Sequence, residues 1–347
     1  VLLVLALALG LSGAGAPPVA GQELPSRGPL RIAERNPLYH LFLTPTQLGA
    51  DLEPWQSSSF AMALSYSNVF EYNDSPLLRQ RFDVERLHSV LTLRHGIGPR
   101  LELGLQVGVH YDWGGFLDPL IQGVHTTFGF PNANREKVED NRYRLLLESG
   151  LDPVRTYLDL PAGPGIEAPQ VLVAWQLSGG PQARHAVALR STIRLPLGDH
   201  RATTRRVDTG IEVAVRRSWA RTHLHASAGA VTINAPPRLD ALMRGHAWLG
   251  SLAVEQSIGE RLSLLAQVSG SSSYTRPVGF AELSRMPVNV AFGAAGTLAG
   301  WGWQFSFAED LPPNSPAVDF TIDLQISRGW PGRDPRARSA GAPPGSS

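Results

Sequence analysis

The 347-residue chain contains no cysteine. Disulfides, thiolate metal sites, a cysteine nucleophile and acylation of a lipoprotein cysteine are therefore excluded. An excess of either charge is missing too. The 31 basic and 30 acidic residues leave a formal net charge of +1, so no long-range field draws nucleic acid and none is expected as a partner. Beyond residue 21 no apolar run approaches the roughly 20 residues that a spanning helix requires. No G-x-S-x-G elbow, phosphate loop or H-E-x-x-H pattern occurs, and no cofactor is expected.

What is present in quantity is period-two alternation. In residues 100–111 (RLELGLQVGVHY), Leu101, Leu103, Leu105, Val107, Val109 and Tyr111 alternate with Arg100, Glu102, Gly104, Gln106, Gly108 and His110. That pattern is a strand with one greasy and one wet face. A dozen such residues exceed a usual soluble strand of about 5–6 and match the roughly 9–11 of a tilted strand crossing a bilayer. The pattern recurs at 59–70, 83–95, 170–178, 186–195, 207–218, 221–233, 246–258, 261–273, 288–298, 301–307 and 318–327. Short connections near 96–99, 179–183, 219–220, 258–260 and 299–300 alternate with longer ones near 71–82, 113–169, 196–206, 234–245, 274–286 and 310–317. Bacterial barrels have short periplasmic turns and long outer loops. The expected fold is all-β: an antiparallel transmembrane β-barrel of about twelve strands, both termini periplasmic. The apolar piece 142–149 goes to an outer loop or plug, because a thirteenth strand would break the alternation. Tyr111, Trp113, Trp219, Trp301 and Trp330 fall at strand ends, as interfacial aromatics do, whereas Trp175 and Trp248 read as further inside.

Residues 1–21 resemble a secretory h-region and cleavage site, with Val19 and Gly21 before the cut, and the missing Met and basic n-region lead to the expectation of a truncated start. Residues 22–56, dotted with proline, read as an extended periplasmic arm, partly tucked into the barrel. Residues 57–330 form the barrel, and the Pro/Gly/Ser/Arg-rich residues 331–347 a disordered tail.

Facing the lumen, the wet sides supply Arg86, His88, Arg94, Arg100, His110, Arg190, Arg194 and Arg216, with the acids Glu102, Asp208, Glu212, Asp319 and Asp323. Such residues either pair with one another inside the wall or line a selective pathway. In the long outer loop, Asn132 and Arg135 belong to a segment placed for binding. His223 and His225 share a strand face, but two histidines without a third ligand do not make a metal site, and no metal is expected.

Asn36-Pro37-Leu38, Phe128-Gly129-Phe130-Pro131-Asn132 with Arg135, and the run of barrel-like strands resemble a family of bacterial outer-membrane β-barrel proteins of unknown function, over about 29–330. The resemblance implies export and insertion into the outer membrane of a Gram-negative envelope. It assigns no activity and no site residue. The expected partners are outer-membrane lipid and lipopolysaccharide, the barrel insertion machinery and a small solute. The leading functional expectation is a passive channel or binding protein for that solute. A lipid-modifying enzyme of the outer leaflet and a soluble secreted all-β protein are the alternatives.

Overall fold

The computed structural model describes residues 24–128, 135, 138–200, 202–277, 281–311, 318 and 320–331. The signal-like stretch 1–21, Asn132, Asp319 and the tail beyond 331 lie outside the described residues.

Among the described residues fifteen strands form one sheet. They are β1 (Ser58–Asp74), β2 (Leu78–Gly96), β3 (Leu101–Trp113), β4 (Arg144–Ser149), β5 (Thr156–Asp159), β6 (Gly163–Ile166), β7 (Gln170–Gly179) and β8 (His185–Arg194), followed by β9 (Asp208–Trp219), β10 (Thr222–Thr232), β11 (His246–Ser257), β12 (Leu262–Ser271), β13 (Val288–Leu298), β14 (Trp301–Asp310) and β15 (Phe320–Trp330). Among the described residues three short helices accompany them: α1 (Pro37–His40), α2 (Asp118–Phe128) and α3 (Ala281–Ser284). β4 and β5 are added to the upper end of β2. β6 pairs with the upper end of β3 and β7 with its lower end, so β6 and β7 are one stave broken at 167–169. Taking β4, β5 and β6 from the fifteen leaves twelve staves. β15 pairs antiparallel with β1, Ser58 opposite Trp330 and Asn68 opposite Phe320, which closes the barrel.

The alternation sorts as the period requires. Met62, Leu64, Leu91, Leu93, Leu103, Leu105, Ile211, Val213, Leu324 and Ile326 are exposed on the outside, while their neighbours in the chain turn inward. Hydrocarbon, not a second sheet, covers this band. Leu105 pairs with Leu93 on one side and Val171 on the other, near mid-height. Leu105→Arg is expected to lower unfolding free energy by about 2–4 kcal/mol, read from urea titrations in lipid vesicles. A loss under about 0.5 kcal/mol, usual for an aqueous surface site, would place Leu105 in water.

Aromatic pairs mark both rims. Phe60 packs against Trp301 and Trp330 at the short-turn end, while Tyr66 meets Trp113 and Phe320 at the other. Trp175 and Trp248 also belong to these rims. Trp175 lies opposite Leu101, the first residue of β3, and Trp248 is the third residue of β11. Strand tilt and stagger set their depth, which counting along one strand misses.

The connection 71–82 is not a loop. β1 and β2 continue past the membrane as a hairpin that turns only at 75–77, where Ser75 N donates to Leu78 O at 2.9 Å. Above the bilayer neither face meets lipid, so the apolar alternation that marks a spanning strand disappears while the ladder goes on. β4 and β5 extend this hairpin sideways. Phe82, Leu145, Leu147 and Leu158 from it pack with Val231, Ile233, Leu239, Leu242, Met243 and Tyr274 from other long-loop ends into one buried core. That core caps the barrel at the end where outer loops belong.

Candidate functional site

The lumen is occupied by the N-terminal arm. Residues 24–34 ascend from the short-turn end, 35–43 form an apex around α1, and 44–56 descend again to the start of β1. Leu24 N donates to the carbonyl of Ala220 in a short turn at 3.2 Å, and Glu34 accepts from Asn289 Nδ2 at the upper end of β13 at 3.2 Å. On the way down, Trp55 bridges Gly96, at the lower end of β2.

A chain fits here because the wall is lined with small residues. Ala174, Ala186, Ala188 and Ala214 face Ala50 and Leu52 of the descending limb, while Ala291, Ala295 and Ala308 with Leu265 face Leu30 and Ile32 of the ascending limb. Above the bridge at Trp55 the arm's backbone groups form no ladder with a strand, and wall side chains satisfy them, as buried peptide groups require. Gln267 accepts from Leu30 N at 2.9 Å and donates to Leu30 O at 3.2 Å. Gln304 accepts from Arg31 N at 3.3 Å and donates to Arg27 O at 3.0 Å. Glu255 accepts from Arg27 N at 2.9 Å and from the Ser26 hydroxyl at 2.9 Å. Ser227 and Ser251 donate to Gln47 Oε1 at 3.1 and 2.7 Å.

The arginine rows do the same for the descending limb. Arg190 Nε donates to Gly49 O at 2.6 Å and its Nη2 to Asp51 O at 3.1 Å, while Arg94 Nη2 reaches Asp51 O at 3.0 Å. Both arginines share Glu102, which also accepts from Glu53 N at 2.7 Å. Arg216 Nε donates to the Asp51 carboxylate at 2.8 Å. Glu212 lies opposite Arg190 in the β8–β9 ladder and is buried with it. Arg86 grips Asp112 with two bonds of 2.6 and 2.8 Å, and Arg194 pairs with Asp208 at 3.3 Å. Asp323 accepts from Ser65 Oγ and lies 3.8 Å from Arg35 of the arm. Arg100 is exposed in the short turn before β3. Arg135 is buried, holding Asp118 and Asn68 at 2.6 Å each, so it fastens the long loop to β1.

His88 and His110 face each other across β2 and β3, and His40 of α1 and Glu167 meet them in the lumen. Asn36, before α1, caps the helix by accepting from Leu38 N at 3.0 Å, with Pro37 at the first helical position, as helix starts favour. Its amide donates to Glu71 at 2.7 Å. Tyr39 stacks on Tyr274 at 4.6 Å, and the Tyr274 hydroxyl donates to Leu43 O at 2.9 Å. Burial raises the Tyr274 phenol above its ordinary pKa, which keeps it a donor. His223 and His225 lie on the inner face as their spacing requires. His223 bonds Ser218 at 2.8 Å, and His225 bonds Glu255 at 3.2 Å.

Three cavities lined jointly by arm and wall measure about 40, 20 and 10 Å³. A water needs about 10–15 Å³ of such volume, so each holds at most a few waters. A hollow of about 230 Å³ lies at the short-turn end beside Arg31, Glu53, Arg94 and Arg328.

Alternation alone could not reveal Glu167, His40 or Asp51, whereas Asp112 continues the wet face of β3 two residues past His110. Glu167 sits in the break between β6 and β7, where no period runs, and the arm residues belong to no strand. The inward alanines were the legible signal, since bare alternation does not demand so small a lining.

A closed twelve-stranded antiparallel barrel with a lipid-facing belt and aromatic rims defines a bacterial outer-membrane β-barrel protein. The family described as Protein of unknown function (DUF3187) matches residues 18–330, and the chain belongs to it. No curated protein matches the chain. Among solved structures, the COG4313 outer membrane channel from Pseudomonas putida F1 is 10% identical, with 81% of this chain and 98% of that one covered at a TM-score of 0.53. The Pseudomonas putida toluene transporter TodX is 7% identical, with 89% and 99% covered at a TM-score of 0.36. The first of these likenesses is one of fold.

Proposed function

We propose that the protein is an outer-membrane channel for a small solute whose resting state is shut by its own N-terminal arm. One observation supports this above the others: the arm passes up and down the lumen, and Glu102, Arg94, Arg190 and Arg216 are spent on holding it. Passage then requires the arm to shift. The bonds holding it run one or two at a time between the arm and wall side chains, and each contributes about 0.5–1.5 kcal/mol net, or about 1.5–3 where one partner is charged. A segment held this way can be displaced piecemeal, whereas a continuous strand ladder would resist.

Planar-bilayer recording of the full-length protein tests the reading. Steady conductance should be absent in the wild type and should appear when Arg190 and Arg216 are both replaced by alanine. Wide, constant conductance in the wild type would show that the arm is no seal. Silence of both proteins, with folding confirmed by heat-dependent electrophoretic mobility, would favour a solute-binding protein without a channel.

A further inference from the structure

Four side chains that no other part of the site employs converge in the upper lumen, at the apex of the arm. His88 comes from β2, His110 from its partner position on β3, His40 from α1, and Glu167 from the break between β6 and β7. Their side chains are only 1%, 1%, 6% and 9% exposed in that order, so bulk water is not their partner. Glu167 Oε1 lies 2.6 Å from His40 Nε2, 2.5 Å from His88 Nε2 and 3.6 Å from His110 Nδ1. One ligand atom from each of His40, His110 and Glu167 falls within 4.8 Å of the other two. His40 Nδ1, both ring nitrogens of His88 and His110 Nδ1 are buried without a hydrogen-bond partner among the described residues. His88 Nε2 is thus close to the carboxylate but not aligned with it as a donor. Buried polar atoms left unsatisfied are costly and call for an occupant.

The wall is cut to admit the cluster. A Cβ on Gly108 would lie 2.2 Å from Glu167 Oε2, and one on Gly165 would lie 2.5 Å from His110 Nε2. Of the guanidiniums around it, Arg86 is matched by Asp112 and Arg194 by Asp208, while Arg35 lies 3.8 Å from Asp323. What remains is His40, His110 and Glu167 around a common point, with His88 Nε2 against the same carboxylate beside them.

We infer that His40, His88, His110 and Glu167 form a binding site for one divalent transition-metal ion of the zinc class. Three nitrogens and one oxygen suit Zn²⁺, Co²⁺ or Ni²⁺, whereas Mg²⁺ and Ca²⁺ take oxygen shells. Tetrahedral ligands about 2.0–2.1 Å from zinc stand roughly 3.3 Å apart. The 2.5 and 2.6 Å contacts therefore open slightly and the 3.6 Å one closes as the ion enters. One ligand belongs to the arm and three to the wall, so the ion ties the two together. Metal binding here does not depend on whether the barrel conducts.

The test uses the full chain folded in detergent and stripped with a chelator. Calorimetric titration with Zn²⁺ should give one ion per chain, and Co²⁺ should give the d–d absorption of a tetrahedral nitrogen and oxygen site. His88→Gln, His110→Gln and Glu167→Gln should each weaken binding by more than the roughly 10–100-fold that outer-shell partners carry. His40→Ala removes a ligand without touching the wall and should do likewise if a wall variant fails to fold. His200→Gln, exposed on a long loop, should bind as the wild type does. Absence of Zn²⁺ binding would overturn the site and leave the cluster as a proton shared among Glu167 and its histidines. Binding that survives the substitutions would overturn it equally.

Discussion

Glu102→Ala should cost about 3–5 kcal/mol of unfolding free energy, the loss typical of stripping one partner from a buried ion pair. Glu102 is 1% exposed and is the one carboxylate that both Arg94 and Arg190 touch. With it gone, two guanidiniums stay in the lumen beside the carbonyls of Gly49 and Asp51 and the more distant Glu53, with Glu212 opposite Arg190 in the ladder. The same substitution frees the Glu53 amide, so the descending limb loosens where it leaves the barrel. Urea titration measures the cost. Replacing Glu102, Arg94 and Arg190 together by leucine and methionine should recover much of it, because an apolar trio leaves no unpaired charge. A loss under about 1 kcal/mol for Glu102→Ala, the scale of an exposed pair, would mean that water reaches the triad and that the limb does not cover it.

Much of this was legible in the chain. Strand positions followed from alternation because one face meets hydrocarbon and the other does not, a contrast that leaves a period of two. The sorting of short and long connections was legible for a related reason: turns at one end need few residues and loops at the other carry the cap. Residues 71–82 show where this logic ends. They are a strand pair in water, so the lipid contrast that made other strands visible is lacking. Trp175 and Trp248 show a second boundary. Depth in a barrel depends on register with neighbouring staves, and Trp175 reaches the rim by standing opposite Leu101.

Of the candidate site, the inward polar residues were identifiable one by one, but their partners were not. Arg216 meets Asp51 and Arg190 meets Gly49, each more than a hundred positions away along the chain. Those partners lie on a segment without regular structure, and only its course through the lumen sets the pairing. Glu167 was hidden in the same way, since it sits where a stave breaks.

The arm fills the barrel, and a chain without cysteine allows that to be measured directly. Ala50 is 1% exposed among Ala174, Ala186, Ala188 and Ala214. Ala50→Cys in the full-length protein, folded in vesicles, should react with a small charged maleimide far more slowly than Leu197→Cys, which is 55% exposed on a long loop. Both should react fully after denaturation. Position 50 should stay protected throughout labelling of position 197, and equal rates at the two positions would mean that the arm does not fill the barrel.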